Sequence, residues 1–216
     1  MARHTRILIA AAIAAAALAA AVGTASARRF ATSENHYLAH FSAMTFESSG
    51  GNIICAFSLE GSFHGKTFEK IVGSLIGYIS EARMKRPCNG GEAWMQTTQE
   101  RGAGESESMP WHIIYERFIG ALPNITGIET LVPDGLFLVV AFGGIRCVYR
   151  STSTSPLKGI IEREAGGKVT KLRARAEKSI PKAEGSFLCP SAGRFIGEGI
   201  VGDQITYREI TVTLVA

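Results

Sequence analysis

Between its turns the chain alternates apolar and polar positions with a period of two, the pattern of strands that bury one face. Near the C-terminus Arg208, Ile210, Val212 and Leu214 fall on one side, and Tyr207, Glu209, Thr211 and Thr213 on the other. From Val169 onward, Lys171, Arg173 and Arg175 share a basic side, opposite Thr170, Leu172, Ala174 and Ala176. Stretches rich in valine, isoleucine, threonine, phenylalanine and tyrosine recur between glycine-rich turns. They predict strands at 44–46, 53–59, 62–70, 93–98, 111–119, 127–132, 136–142, 145–150, 158–164, 168–176, 194–201 and 205–215.

Two periods compete over 68–84, where Phe68, Val72, Leu75, Ile76, Ile79 and Ala82 also mark a helical stripe. Gly73 and Gly77 would each cost about 1 kcal/mol inside a helix, which favours strand. The turns carry suitable chemistry. Pro133-Asp134-Gly135 combines a fixed φ, a side-chain acceptor and a residue that tolerates positive φ. Gly143-Gly144 and Ala165-Gly166-Gly167 read as hairpin tips, so three consecutive hairpins suggest a meander. Segment 100–109 reads as a mobile loop, and 28–40 as a loosely ordered lead-in.

The N-terminus changes the compartment. Arg3 and Arg6 precede an apolar, alanine-rich run over 7–22, followed by Ala25-Ser26-Ala27. This is the build of a cleavable signal peptide over 1–27, cut after Ala27. The run is shorter than the roughly 20 apolar residues that a span prefers, so no transmembrane span is expected after cleavage. Of the 216 residues, 216 − 27 = 189 remain, read as a single β domain over 41–216 after the lead-in. The formal charge of +4 includes Arg3 and Arg6 and falls to +2 without them, too little to imply nucleic acid.

Four cysteines, Cys55, Cys88, Cys147 and Cys189, lie in the exported part. An even number in an oxidising compartment points to two disulfides. Sequential pairing, Cys55 with Cys88 and Cys147 with Cys189, staples each half of the chain and contributes up to about 4 kcal/mol per bridge in the chain-entropy model. The cysteines lack the spacing of a zinc site; neither a metal nor a cofactor is expected.

Candidate chemistry is sparse. Gly197-Glu198-Gly199-Ile200-Val201-Gly202 has the spacing of a dinucleotide-binding loop, but that loop needs a following helix and strand. Here a strand-like pattern leads directly to the C-terminus, and a glycine-rich strand pair at a sheet bend is expected instead. His36 and His40 lack the further ligands of a metal site. His112 sits in Pro110-Trp111-His112-Ile113-Ile114-Tyr115, on the opposite strand face from Trp111 and Tyr115. A hydrolase would use such a histidine as a general base, with Glu116 or Asp134 behind it. The nucleophile elbow is missing, since Gly61-Ser62-Phe63-His64-Gly65 departs from it. Asn124-Ile125-Thr126 fits a glycosylation acceptor, which matters only in a eukaryotic secretory pathway. Lys168, Lys171, Arg173, Arg175, Lys178 and Lys182 form a basic stripe, suited to an anionic envelope polymer or to plain solvation.

Leu122-Pro123-Asn124-Ile125-Thr126-Gly127, Cys147-Val148-Tyr149-Arg150 and Leu188-Cys189-Pro190-Ser191, together with Trp111-His112 and Gly73-Ser74-Leu75-Ile76-Gly77, carry a resemblance. On these residues the chain resembles a group of exported bacterial proteins of unassigned function. The resemblance implies a shared two-disulfide β fold and brings no activity with it.

The expected fold is all-β, an antiparallel β-sandwich or partly closed barrel of about 8–11 strands, an estimate from turn spacing. The expected function is that of a non-catalytic envelope or secreted binding module whose partner is an anionic envelope polymer or surface protein. Two alternatives are an extracellular hydrolase using His112 with an acid, and a carrier of a lipid or small apolar ligand.

Overall fold

The computed structural model describes residues 29–95, 109–122, 124–133, 135, 137–164, 166–175, 179–203 and 208–215, with backbone alone at 137–139, 142 and 175. The expected signal peptide, most of the 100–109 loop, Asp134 and Lys178 lie outside these residues. Alternation becomes fifteen antiparallel strands and, among the described residues, no helix. Eight strands follow one another in a hydrogen-bonded circuit. In chain order they are β2 (His36–Ser48), β3 (Gly51–Phe63), β5 (Leu75–Asn89), β7 (Trp111–Ala121), β8 (Asn124–Val132), β11 (Leu157–Arg163), β12 (Lys168–Arg175) and β14 (Ala192–Gly202). β14 pairs with both β2 and β12, which returns the sequence of neighbours to its start.

Two smaller groups extend the sheet. β15 (Ile210–Val215), β1 (Arg29–Thr32) and β4 (Thr67–Glu69) continue outward from β12. β13 (Ile180–Gly185), β10 (Ile145–Arg150), β9 (Phe137–Phe142) and β6 (Glu92–Met95) continue from β14. Arg163 ties the first group to the circuit, donating from Nε to the Val212 carbonyl and from Nη1 to the Ile125 carbonyl, each at 2.6 Å.

The all-β fold and the sequential disulfides agree with the sequence reading: Cys55 bonds Cys88 and Cys147 bonds Cys189. The ambiguous 68–84 segment is extended, with the end of β4 and most of β5 separated by a turn. Three expectations change. Residues 28–40 are no loose lead-in, because they contain β1 and the first five residues of β2, with Phe30 and Ala39 fully buried. The strand count exceeds the estimate: the expected 62–70 strand divides between β3 and β4, β5 lies over the segment of ambiguous period, and β1 and β13 fall outside every expected strand, β1 having only four residues, too few to display a period. β8 pairs with β7 and β11 in the circuit and β9 with β10 and β6 in the second group, so the expected hairpin across Pro133-Asp134-Gly135 is not formed. The tips at Gly143-Gly144 and at 165–167 do join paired strands.

The inner faces of the circuit build the core. The glycine motif belongs here: Gly197 and Gly199 lie on β14 as a strand. A Cβ at Gly199 would come within 2.9 Å of the Phe41 ring, and one at Gly197 within 2.7 Å of Met44 Sδ. The motif makes room for two β2 side chains in the interior.

Candidate functional site

All eight strands of the circuit contribute residues to one interior cavity. It offers about 70 Å³ to the centre of a water-sized sphere. Its wall follows β3 from Phe57 to Phe63 and β14 from Phe195 to Val201. At about 3.3 Å per residue, each run spans roughly 20 Å along its strand. A volume this small over such a length makes a narrow channel. Aromatic and aliphatic side chains form nearly all of it, which follows from alternation: the polar members of each strand face outward.

The flanking groups meet the channel wall through aromatic rings. Phe63 stacks on Phe68 at 5.3 Å, Phe68 meets Phe30 at 5.4 Å, and Phe30 meets Tyr115 at 5.8 Å. Toward the second group, Phe195 contacts Phe46 at 5.3 Å and Phe46 contacts Tyr149 at 4.7 Å. Burial pushes the Tyr149 phenol up to about 12, and its hydroxyl donates to the Pro190 carbonyl at 3.0 Å.

Among the described residues, four side chains on the wall carry polar N or O atoms: Tyr37, Trp111, Thr130 and Lys158. Three have acceptors. The Tyr37 hydroxyl donates to the Tyr78 carbonyl at 3.3 Å, the Thr130 hydroxyl to the Gly159 carbonyl at 3.1 Å, and Lys158 Nζ to Glu129 Oε1 at 2.7 Å. Trp111 is fully buried, and its Nε1–H has no partner among the described residues.

Of the residues considered for hydrolysis, His112 and Glu116 are not among those lining this channel, and Asp134 lies outside the described residues. Trp111 and Tyr115 point inward and are buried, so His112 faces out, as alternation requires, opposite Tyr78 in the ladder. Its ring stacks on His64 at 6.2 Å, and His64 meets Tyr78 at 5.8 Å. Glu116 occupies a break in the β7–β8 register, and Lys158 Nζ lies 3.3 Å from its Oε2. Lys158 also binds Glu129, as does Arg117 at 2.6 Å. Among the described residues no hydrogen bond joins His112 to a carboxylate.

The same outer row holds a pair that sequence reasoning missed. His36 and Ser62 are cross-strand partners, and Ser62 Oγ lies 2.7 Å from His36 Nδ1 in a hydrogen bond whose direction follows the imidazole tautomer. Their pairing depends on the β2–β3 register, which the sequence shows only as alternation. His36, Ser62, Tyr78 and His112 thus lie side by side across four strands. No group of three or more metal-binding side chains forms among the described residues.

The basic stripe is met by acids from neighbouring strands and loops. Lys168 pairs with Glu209, Lys171 with Glu198, and Arg173 with Glu162 at 2.8 Å and Glu198 at 3.0 Å. Lys182 donates to the Ser186 carbonyl at 3.0 Å. No family model matches the chain, and neither a curated protein nor a solved structure matches it.

Proposed function

We propose that this protein is an exported, non-catalytic binding module that holds a small, linear apolar ligand inside its circuit of strands. The observation that carries the reading is the narrow channel to which all eight strands contribute. Binding sites for small molecules are concave and mainly apolar, with few polar groups to orient the ligand. An extended chain suits this channel better than a fused ring system does. Export is supported by the pairing of all four cysteines, which belongs to an oxidising compartment. Among the described residues no helix is long and apolar enough to cross a membrane.

Hexane is a suitable probe, because it offers only apolar surface. Calorimetric titration into the oxidised protein should show saturable binding, which Ala174→Leu, placed on the channel wall, should weaken at least about tenfold while the fold is retained, an effect of about 1.4 kcal/mol. No saturable binding by the unaltered protein would refute the reading.

A second reading, an extracellular hydrolase, has the 2.7 Å contact between Ser62 and His36 on its side. A nucleophile beside a base is the minimum such chemistry needs. Ser62, however, is only 5% exposed, and no carboxylate among the described residues orients His36. Ester, glycoside and peptide panels test it: turnover that disappears in Ser62→Ala and His36→Ala, but survives His112→Ala, would establish this pair in place of the His112 arrangement.

A further inference from the structure

β4 leads into β5 through a turn that holds apolar side chains out in solvent. Ile71, Val72 and Leu75 are 54%, 75% and 52% exposed. Single exposed aliphatics are ordinary on a protein surface, but three within one short turn form a patch. Leu75 extends it, since its ladder partner Ile114 lies on the outer face of β7 and is only half-buried.

The turn is firmly built. The Ser74 amide donates to the Ile71 carbonyl at 2.9 Å, and Gly73 takes the φ of 83° that the third position of a type II turn demands. The Gly73 amide donates to the Tyr115 carbonyl and the Tyr115 amide to the Ser74 carbonyl, both at 2.9 Å. Ser74 Oγ donates to the Glu69 carbonyl at 3.1 Å. Tyr115 is buried, so the turn is anchored to the circuit with Val72 at its tip. An apolar tip that is already ordered loses little freedom when it is covered.

Charge and composition indicate what covers it. Lys70, next to Ile71, places Nζ 5.4 Å from the centroid of the Phe118 ring, and Arg29 stands across the ladder from Glu69. Glu116 and Glu129 on the neighbouring strands are taken up by Lys158 and Arg117. Beside the turn, Arg29 and Lys70 are thus opposed by the single acid Glu69. Protein interfaces draw most of their energy from Trp, Tyr and Arg, with leucine and valine under-represented and lysine depleted. Aliphatic side chains flanked by cations are instead the composition of a surface that rests in a bilayer interface.

We infer that the turn at 71–75 is a membrane-contact site. It sets Ile71, Val72 and Leu75 into the boundary between headgroups and acyl chains of an anionic phospholipid bilayer, with Arg29 and Lys70 at the headgroups. The inference goes beyond the channel and does not depend on it.

The test is flotation of the oxidised full chain, purified after export, with two kinds of vesicle: phosphatidylcholine alone, and phosphatidylcholine mixed in equal parts with phosphatidylglycerol. Binding should be about fivefold stronger on the anionic vesicles, the effect of one surplus positive charge near the surface. Ile71→Asp with Val72→Asp should weaken it at least about tenfold, because the buried aliphatic area is lost. Val72→Trp should strengthen it, since indole favours the membrane interface. A thermal melt of the double variant matching that of the unaltered protein separates lost contact from lost fold, and hexane titration reports on the channel independently. No flotation of the unaltered protein, or flotation that neither set of substitutions changes, would overturn the inference whatever hexane does. A dimer in vesicle-free buffer that the double variant abolishes would also overturn it, by assigning the patch to a second copy of the chain.

Discussion

Glu129 sits on β8 beside Thr130 and is 2% exposed. Burial on its own raises a carboxyl pKa, but hydrogen bonds from Lys158 and Arg117 outweigh it and hold Glu129 at about 2, below its ordinary value of 4.5. A group whose pKa is depressed on folding contributes stability above its unfolded value, and that contribution is lost as pH falls through the folded one. The contribution of Glu129 should therefore be complete above about pH 4.5 and disappear toward about pH 2. Thermal melts across that window should show a steeper loss for the unaltered protein than for Glu129→Gln. At neutral pH, Glu129→Gln should cost about 3 kcal/mol in denaturant unfolding, because a buried ion pair loses one member; a cost near zero would show that the cluster contributes little. None of this is legible in the sequence, where Glu129 is one acid among nineteen. Trp111 and Tyr115 are the opposite case, since alternation alone assigns them to the same inner face.

Among the elements, β1 shows where periodicity stops being informative. It has four residues, so its alternation cannot be told from chance, and its partners β4 and β15 come from distant parts of the chain. Its importance lies in Phe30, which is fully buried against Phe68 and Tyr115. Phe30→Ala should destabilise the protein by about 3–5 kcal/mol, the usual range for deleting a buried phenylalanine, as read from the denaturant midpoint. A cost below about 1 kcal/mol, typical of surface substitutions and caps, would contradict the packing of β1 against β4 and β7. Alternation made β3, β7 and β14 legible over most of their length, whereas β2 was expected as a strand only at 44–46 and β5 competed with a helical stripe. Which strands pair was not legible: Pro133-Asp134-Gly135 has the residues of a reversal, yet Val132 before it pairs with Leu157 and β9 after it pairs with β10 and β6.

At the scale of the molecule, the two disulfides divide the labour as chain order suggested. Cys55–Cys88 crosslinks β3 to β5 within the circuit, and Cys147–Cys189 joins β10 to the turn that precedes β14. They span 33 and 42 residues, for which chain entropy gives about 4 kcal/mol each. Cys147→Ser with Cys189→Ser should lower the unfolding midpoint but leave hexane binding within about threefold, a difference under about 1 kcal/mol, because that bridge lies away from the channel wall. The closure of β14 on β12 could not be read from the sequence, where both ends of the circuit look like ordinary amphipathic strands. Closure makes the inner faces a common wall, and the account of function depends on it. A crystal structure of the oxidised protein soaked with hexane tests that account most directly. The account predicts density for the hydrocarbon inside the circuit, along the wall that includes Phe57, Trp111 and Phe195; an interior without hydrocarbon, in crystals that take it up only at the surface, would contradict it.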